Sequence, residues 1–184
     1  MKIINTFAVI EDSIYAIQFE HENEFTHAWA KCFELWNDPI YLNDFFEKHE
    51  DDLNDPFWSG ITIEEAIIKT RQDALLLEKK LKDIAESGKY KGNDNLSSFF
   101  EPLSKGRIED YEKDKAKGII NPSWLRIYAI RIDANCFVIT GGEIKLTKTM
   151  NDRQHLLDEL DKLEFTRNEL LDGGNETLDI VVFR

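Results

Sequence analysis

LRIYAIRIDANCFVITGGEI, residues 125–144, is the stretch on which the fold class turns. It is dense in β-branched and aromatic side chains, which favour extended backbone. Asp133-Ala134-Asn135 supplies the turn, and CFVIT runs back to pair with WLRIYAIRI, so the segment reads as an antiparallel hairpin. The two-residue repeat of a strand puts Arg126, Tyr128 and Ile130 on one side and Ile127, Ala129 and Arg131 on the other. Gly141-Gly142 follows a strand but precedes another extended run, EIKLTKT. It therefore reads as a bulge or bend before it reads as a phosphate cradle.

Downstream, Asn151 or Asp152 is placed to cap a helix in which Leu156, Leu160, Leu163, Arg167 and Leu170 share a stripe. Gly173-Gly174 ends that helix, and LDIVVF reads as a last strand. Upstream, residues 88–123 are punctuated by Gly, Asn and Pro, with a short helix expected around Ile108–Lys117. On that helix Lys113, Lys115 and Lys117 alternate with Glu112 and Asp114 as a solvated face.

Two further regions complete the pattern. Residues 3–20 read as an N-terminal hairpin turning at Glu11-Asp12-Ser13. Residues 23–88 read as helices. The first, after an Asn23 cap, carries Phe25, Ala28, Trp29, Cys32, Phe33 and Trp36. The second starts with Asp38 as cap and Pro39 at its first position, and buries Leu42, Phe45 and Phe46. The third starts with a Thr62/Glu65 capping box and carries a seam from Ile63 to Ile84 at three- and four-residue steps. Strands, then helices, then strands and a helix indicate an α+β fold: an antiparallel sheet of four to six strands packed against helices, with a helical insertion. At 184 residues with 42% hydrophobic side chains the chain has the size and core of a single domain, 1–184.

The formal charge is -13, which disfavours nucleic-acid binding spread over the whole surface. The charge is uneven. Lys105 to Arg153 holds ten basic and seven acidic residues, a local +3 that leaves -16 on the remainder. No apolar run approaches the roughly 20 residues that span a bilayer, and MKIINTFAVIEDS has no long apolar core of a secretory signal. Two cysteines, Cys32 and Cys136, make no disulfide framework, so a cytoplasmic location is expected. Metal-ligand spacings, Gly-rich nucleotide loops and a Gly-x-Ser-x-Gly elbow are all absent from the sequence, and no cofactor or metal is expected.

The chemistry-bearing candidates gather around the C-terminal hairpin: Arg126, Arg131, Lys145, Lys148, Arg153 and His155. Cleaving RNA without a metal requires cations on the scissile phosphate, one group to activate the 2′-hydroxyl and one to protonate the leaving oxygen. Lys and Arg supply the first; His, Tyr or a Lys of depressed pKa the others. The competing reading makes Lys145 and Lys148 guards on an exposed strand edge.

Residues 124–171 resemble the C-terminal half of the RelE/ParE/HigB toxin superfamily. Leu125-Arg126 and Arg131 match its arginine strand, Phe137-Val138-Ile139 its apolar strand, Lys145, Thr147 and Lys148 its lysine segment, and Asn151–Leu171 its closing helix. The resemblance implies a RelE-like core and metal-independent cleavage of ribosome-bound messenger RNA, with Lys145, Lys148, Arg126, Arg131 and Arg153 as the carried-over residues. It also implies neutralisation by a small antitoxin protein. Other members inhibit gyrase, so fold does not dictate activity. This chain departs from the pattern in its greater length, its acidity, its helical insertion and its Lys-x-x-Lys spacing. A second reading therefore stands beside the endoribonuclease: a non-catalytic acidic interaction module on the same scaffold. Its helical region would bind a basic partner, or form a homodimer through the Ile63–Ile84 seam.

Overall fold

The computed structural model describes all residues except 23, 91–92, 104–110, 174–177 and 179–184. In chain order the elements are β1 (Ile3–Ile10), β2 (Ile14–Phe19), α1 (Ala28–Asn37), α2 (Pro39–Lys48), α3 (Glu50–Leu53) and α4 (Ile63–Ser87). They continue with β3 (Glu101–Pro102), β4 (Lys113–Lys117), β5 (Leu125–Asp133), β6 (Cys136–Ile144) and α5 (Gln154–Asp172). This is an α+β fold around one six-stranded sheet of order β1-β2-β6-β5-β4-β3.

Both hairpins form where the apolar runs place them, and four of the five pairings are antiparallel. The exception is β2 with β6, which is parallel. The expected all-antiparallel sheet is thereby corrected to a mixed one. The helical segment returns the chain to the far side of the sheet, so the two hairpins join through strands that run the same way. β2 then lies inside the sheet, with Ile14 and Ala16 in one core and Tyr15, Ile17 and Phe19 in the other. That two-sided burial is why IYAIQF lacks a polar alternation.

One sheet face packs under α1, α2 and α4; the other packs under α5. On β5, Ile127 and Ala129 join the first core and Tyr128 and Ile130 the second. The α4 seam is consumed inside the fold. Thr70, Ala74, Leu77, Leu81 and Ile84 are buried, and Ile63 and Ile67 pack against the same core. It is therefore not a homodimer face.

Local signals hold where they concern caps and turns. Asp38 accepts from the Ile40 and Tyr41 amides, and the Thr62/Glu65 capping box is closed in both directions. Asn135, at the tip of the C-terminal hairpin, accepts from Leu96 N and donates to Ala85 O, tying the turn to the end of α4. The bulge expected at Gly141-Gly142 falls one residue earlier: Tyr128 faces Gly141 while Ala129 faces Ile139, leaving Thr140 as the extra residue, and both glycines pair within β6. Gly142 carries α1, since a Cβ there would stand 2.9 Å from Cys32 Sγ and 3.0 Å from Trp36.

Four local expectations change. The first long helix starts at Ala28, capped by His27 Nδ1 accepting from Ala30 N; the expected cap, Asn23, lies outside the described residues. Lys113–Lys117 is a strand, not a helix, because it pairs with Ile130–Arg126 of β5; residues 108–110 lie outside the described residues. The extended run after the glycines ends at Ile144. Finally, α5 begins at Gln154, after a Thr149-capped turn at Met150–Asp152. The expected last strand falls on residues outside the described set, apart from buried Leu178.

Candidate functional site

A cleft of about 1030 Å³ opens at the end of the sheet where β4 finishes, β5 begins and β6 leaves. Lys117 enters it from β4 and Arg126 from β5. Lys145 and Lys148 come from the segment after β6, and Arg153 from just before α5. The opposite wall is Asp51–Trp58, from α3 and the turn after it. Two tryptophans fasten this end: Trp58 Nε1 donates to Leu146 O at 3.1 Å, and Trp124 Nε1 to Thr70 Oγ1 at 2.9 Å.

The loop 118–123 on the third side is held by one carboxylate. Asp73, 2% exposed on α4, accepts from Ile119 N at 2.5 Å, Ile120 N at 2.8 Å and Ser123 Oγ at 2.5 Å. A Cβ at Gly118 would collide with Asp73 and Ser123, so the turn admits only glycine there.

Four of the six sequence candidates thus share the cleft: Arg126, Lys145, Lys148 and Arg153. Their charges are not equally available. Arg153 is bound to Asp52 by two hydrogen bonds, Nε to Oδ2 at 2.8 Å and a terminal guanidinium nitrogen to Oδ1 at 2.5 Å. Arg126 instead donates to the Ser123 and Leu125 carbonyls. Lys145 Nζ donates to the Thr147 and Lys148 carbonyls at 2.5 and 2.7 Å, and Lys148 is exposed. Among the described residues these three have no carboxylate partner. Burial, with the Arg126 charge behind it, lowers the Lys145 pKa; burial also lowers that of Arg126. A lysine whose charge is opposed by burial and by a neighbouring guanidinium is favourably placed to receive an anion.

Two candidates lie elsewhere. Arg131 points to the other sheet face, where Nε donates to Asp114 Oδ2 at 2.8 Å; Asp114 is fully buried. It is a structural ion pair. His155 lines a separate pocket, its Nε2 3.2 Å from Ile144 O and its ring 4.9 Å from that of His49. Burial lowers its pKa, so it is held neutral rather than poised over the cleft.

Sequence reasoning missed three kinds of residue. Phe57, 63% exposed on the cleft wall, was hidden in the run Asp55-Pro56-Phe57-Trp58. Lys117 was assigned to a helix. Glu159 and Lys162 are buried under α5 beside half-buried Glu143, a cluster whose only sequence signal is a Glu and a Lys standing on the helix's apolar stripe. Glu143 is pushed up to about 8 by burial and by the Glu159 charge.

No family model matches this chain, and no curated protein or solved structure does either. No described helix is long and apolar enough to cross a membrane.

Proposed function

We propose that the cleft binds single-stranded RNA, as the phosphate-holding half of a RelE-like, metal-independent endoribonuclease site. The observation that carries this reading is the placement of Arg126, Lys145 and Lys148, without carboxylate partners among the described residues, beside the exposed Phe57 ring. Cations that follow a backbone next to an aromatic face on which a base stacks are the usual means of holding single strands. In this reading Arg126 and Lys148 hold the phosphate. Lys145, its pKa lowered, gives a proton to the leaving 5′-oxygen as the 2′-oxygen bonds to phosphorus. Taking the 2′-hydroxyl proton falls to another group, since His155 stands outside the cleft. Binding is accordingly better supported than cleavage. A RelE-like protein would also be restrained by an antitoxin covering these cations.

The second reading, a non-catalytic interaction module in the cytoplasm, is favoured by the acidic wall. Asp51, Asp52, Asp55 and Asp152 line the same cleft and would suit a partner presenting both charges.

Fluorescence anisotropy with a labelled 12-nucleotide single-stranded RNA tests the first reading. Binding at low salt that falls with added salt is expected, weakened by Lys145→Ala, Arg126→Ala and Phe57→Ala. Incubation with translating ribosomes should give RNA ending in a 2′,3′-cyclic phosphate. Binding without cleavage overturns the endoribonuclease and leaves an RNA-binding cleft; no binding at low salt overturns the RNA proposal.

A further inference from the structure

Beneath the first half of α5 lies a second pocket, of about 320 Å³, separate from the RNA-binding proposal. Its interior holds three carboxylates and two ammonium groups. Lys162, with a side chain 3% exposed, contacts Glu159 and lies 3.1 Å from Glu22; Lys31 lies 2.7 Å from Glu22. Glu143 enters from β6, next to Glu159. Over the whole lining, five carboxylates (Glu22, Glu143, Asp158, Glu159 and Asp161) face Lys31, Lys162 and the Met1 α-ammonium, so with every carboxylate ionised positive charge is in deficit.

A second observation marks where the shortfall falls. Glu159 is 2% exposed, and its Oε2 has no hydrogen-bond partner among the described residues. A buried carboxylate oxygen without a donor is costly, and native structures rarely leave one. The geometry keeps it so. Glu159 lies over Gly141, where any Cβ would collide with Oε2, and its Oε1 is taken by Lys162. The mouth is ringed by Asp158 and Asp161, with His21 and His155 alongside, while Cys32 and Tyr41 face the cluster from α1 and α2. The entrance therefore favours a cation. Among the described residues no group of three or more His, Cys, Asp or Glu is placed to hold a metal ion.

We propose that this pocket binds a small primary ammonium ion, which donates a hydrogen bond to Glu159 Oε2 and supplies the missing positive charge beside Glu143. A primary ammonium has both a positive charge and the N–H donor that Glu159 Oε2 lacks. A potassium ion has only the charge, and a quaternary ammonium has no donor. On binding, the ammonium favours ionised Glu143, whose proton leaves to buffer.

The test is isothermal titration calorimetry of methylammonium chloride into the whole chain at constant ionic strength and pH 7, in two buffers of different ionisation enthalpy. Saturable binding is expected, with a buffer-dependent heat that reports proton release. Glu159→Gln should weaken binding about tenfold, the equivalent of one charge-assisted hydrogen bond. Glu143→Gln should remove the proton release, with folding checked by circular dichroism. Lys145→Ala, in the cleft, should leave this binding unchanged. Absence of saturable heat, equal binding of potassium or tetramethylammonium, or an unaltered Glu143→Gln titration would each overturn the proposal.

Discussion

Arg153 and Asp52 stand 101 positions apart in the chain and meet across the cleft through two hydrogen bonds of 2.8 and 2.5 Å. The pair joins the start of α5 to α3 and withdraws one of the five cleft cations from any incoming anion. Asp52→Asn leaves Arg153 with a neutral neighbour. We expect tighter RNA binding and a plot of log affinity against log salt that steepens by about 0.7, the increment for one more phosphate contact on a single strand. An unchanged slope in anisotropy titrations would show that Arg153 does not face the ligand.

Lys145 and Arg131 were grouped together by sequence but should separate in experiment. Lys145→Ala should weaken RNA binding and flatten the salt slope by about 0.7, with little change in stability. Arg131→Ala should leave RNA binding intact and cost about 3 kcal/mol in urea unfolding, because it strands the fully buried Asp114 carboxylate. The reverse pattern would return Arg131 to the site.

Asp73 shapes the cleft without touching a ligand. Asp73→Ala removes the acceptor for two amides and a hydroxyl in loop 118–123. A loss of at least about 2 kcal/mol is expected from urea unfolding, together with weaker RNA binding as the support under Arg126 loosens. Asp73→Asn, which keeps one acceptor oxygen, should recover part of both.

Glu143 sets a pH dependence whose sign follows from its raised pKa. A carboxyl that holds its proton more tightly folded than unfolded stabilises the fold fully below its unfolded pKa of about 4.5, and that contribution is lost as pH rises through about 8. Wild type should therefore lose stability between about pH 5 and 8 more steeply than Glu143→Gln in thermal or urea unfolding. Parallel curves would show that burial does not perturb this carboxyl.

Much of the fold was legible because it rests on short-range rules. The Asp38-Pro39 start, the Thr62/Glu65 box and the hairpin around Ala134-Asn135 each depend on residues a few positions apart. Lys113–Lys117 was misread because alternating charge describes a solvated helix as well as a strand. What decided was the partner strand, β5, supplying hydrogen bonds from Arg126–Ile130. The parallel β2–β6 pairing was equally invisible, since the path of the intervening helices over the sheet determines it.

By itself the sequence determined the α+β class, the hairpins, the caps and the basic character of the C-terminal part, because periodicity and turn chemistry act locally. Only the tertiary structure decided which charges are available. Arg126, Lys145 and Lys148 meet in a cleft; Arg131 and Arg153 are taken by Asp114 and Asp52; and Glu159 keeps an oxygen over Gly141 that has no hydrogen-bond partner among the described residues. The physical reason is that a charge's effect depends on what lies within a few ångströms of it and how much water remains, and neither is a property of sequence neighbours.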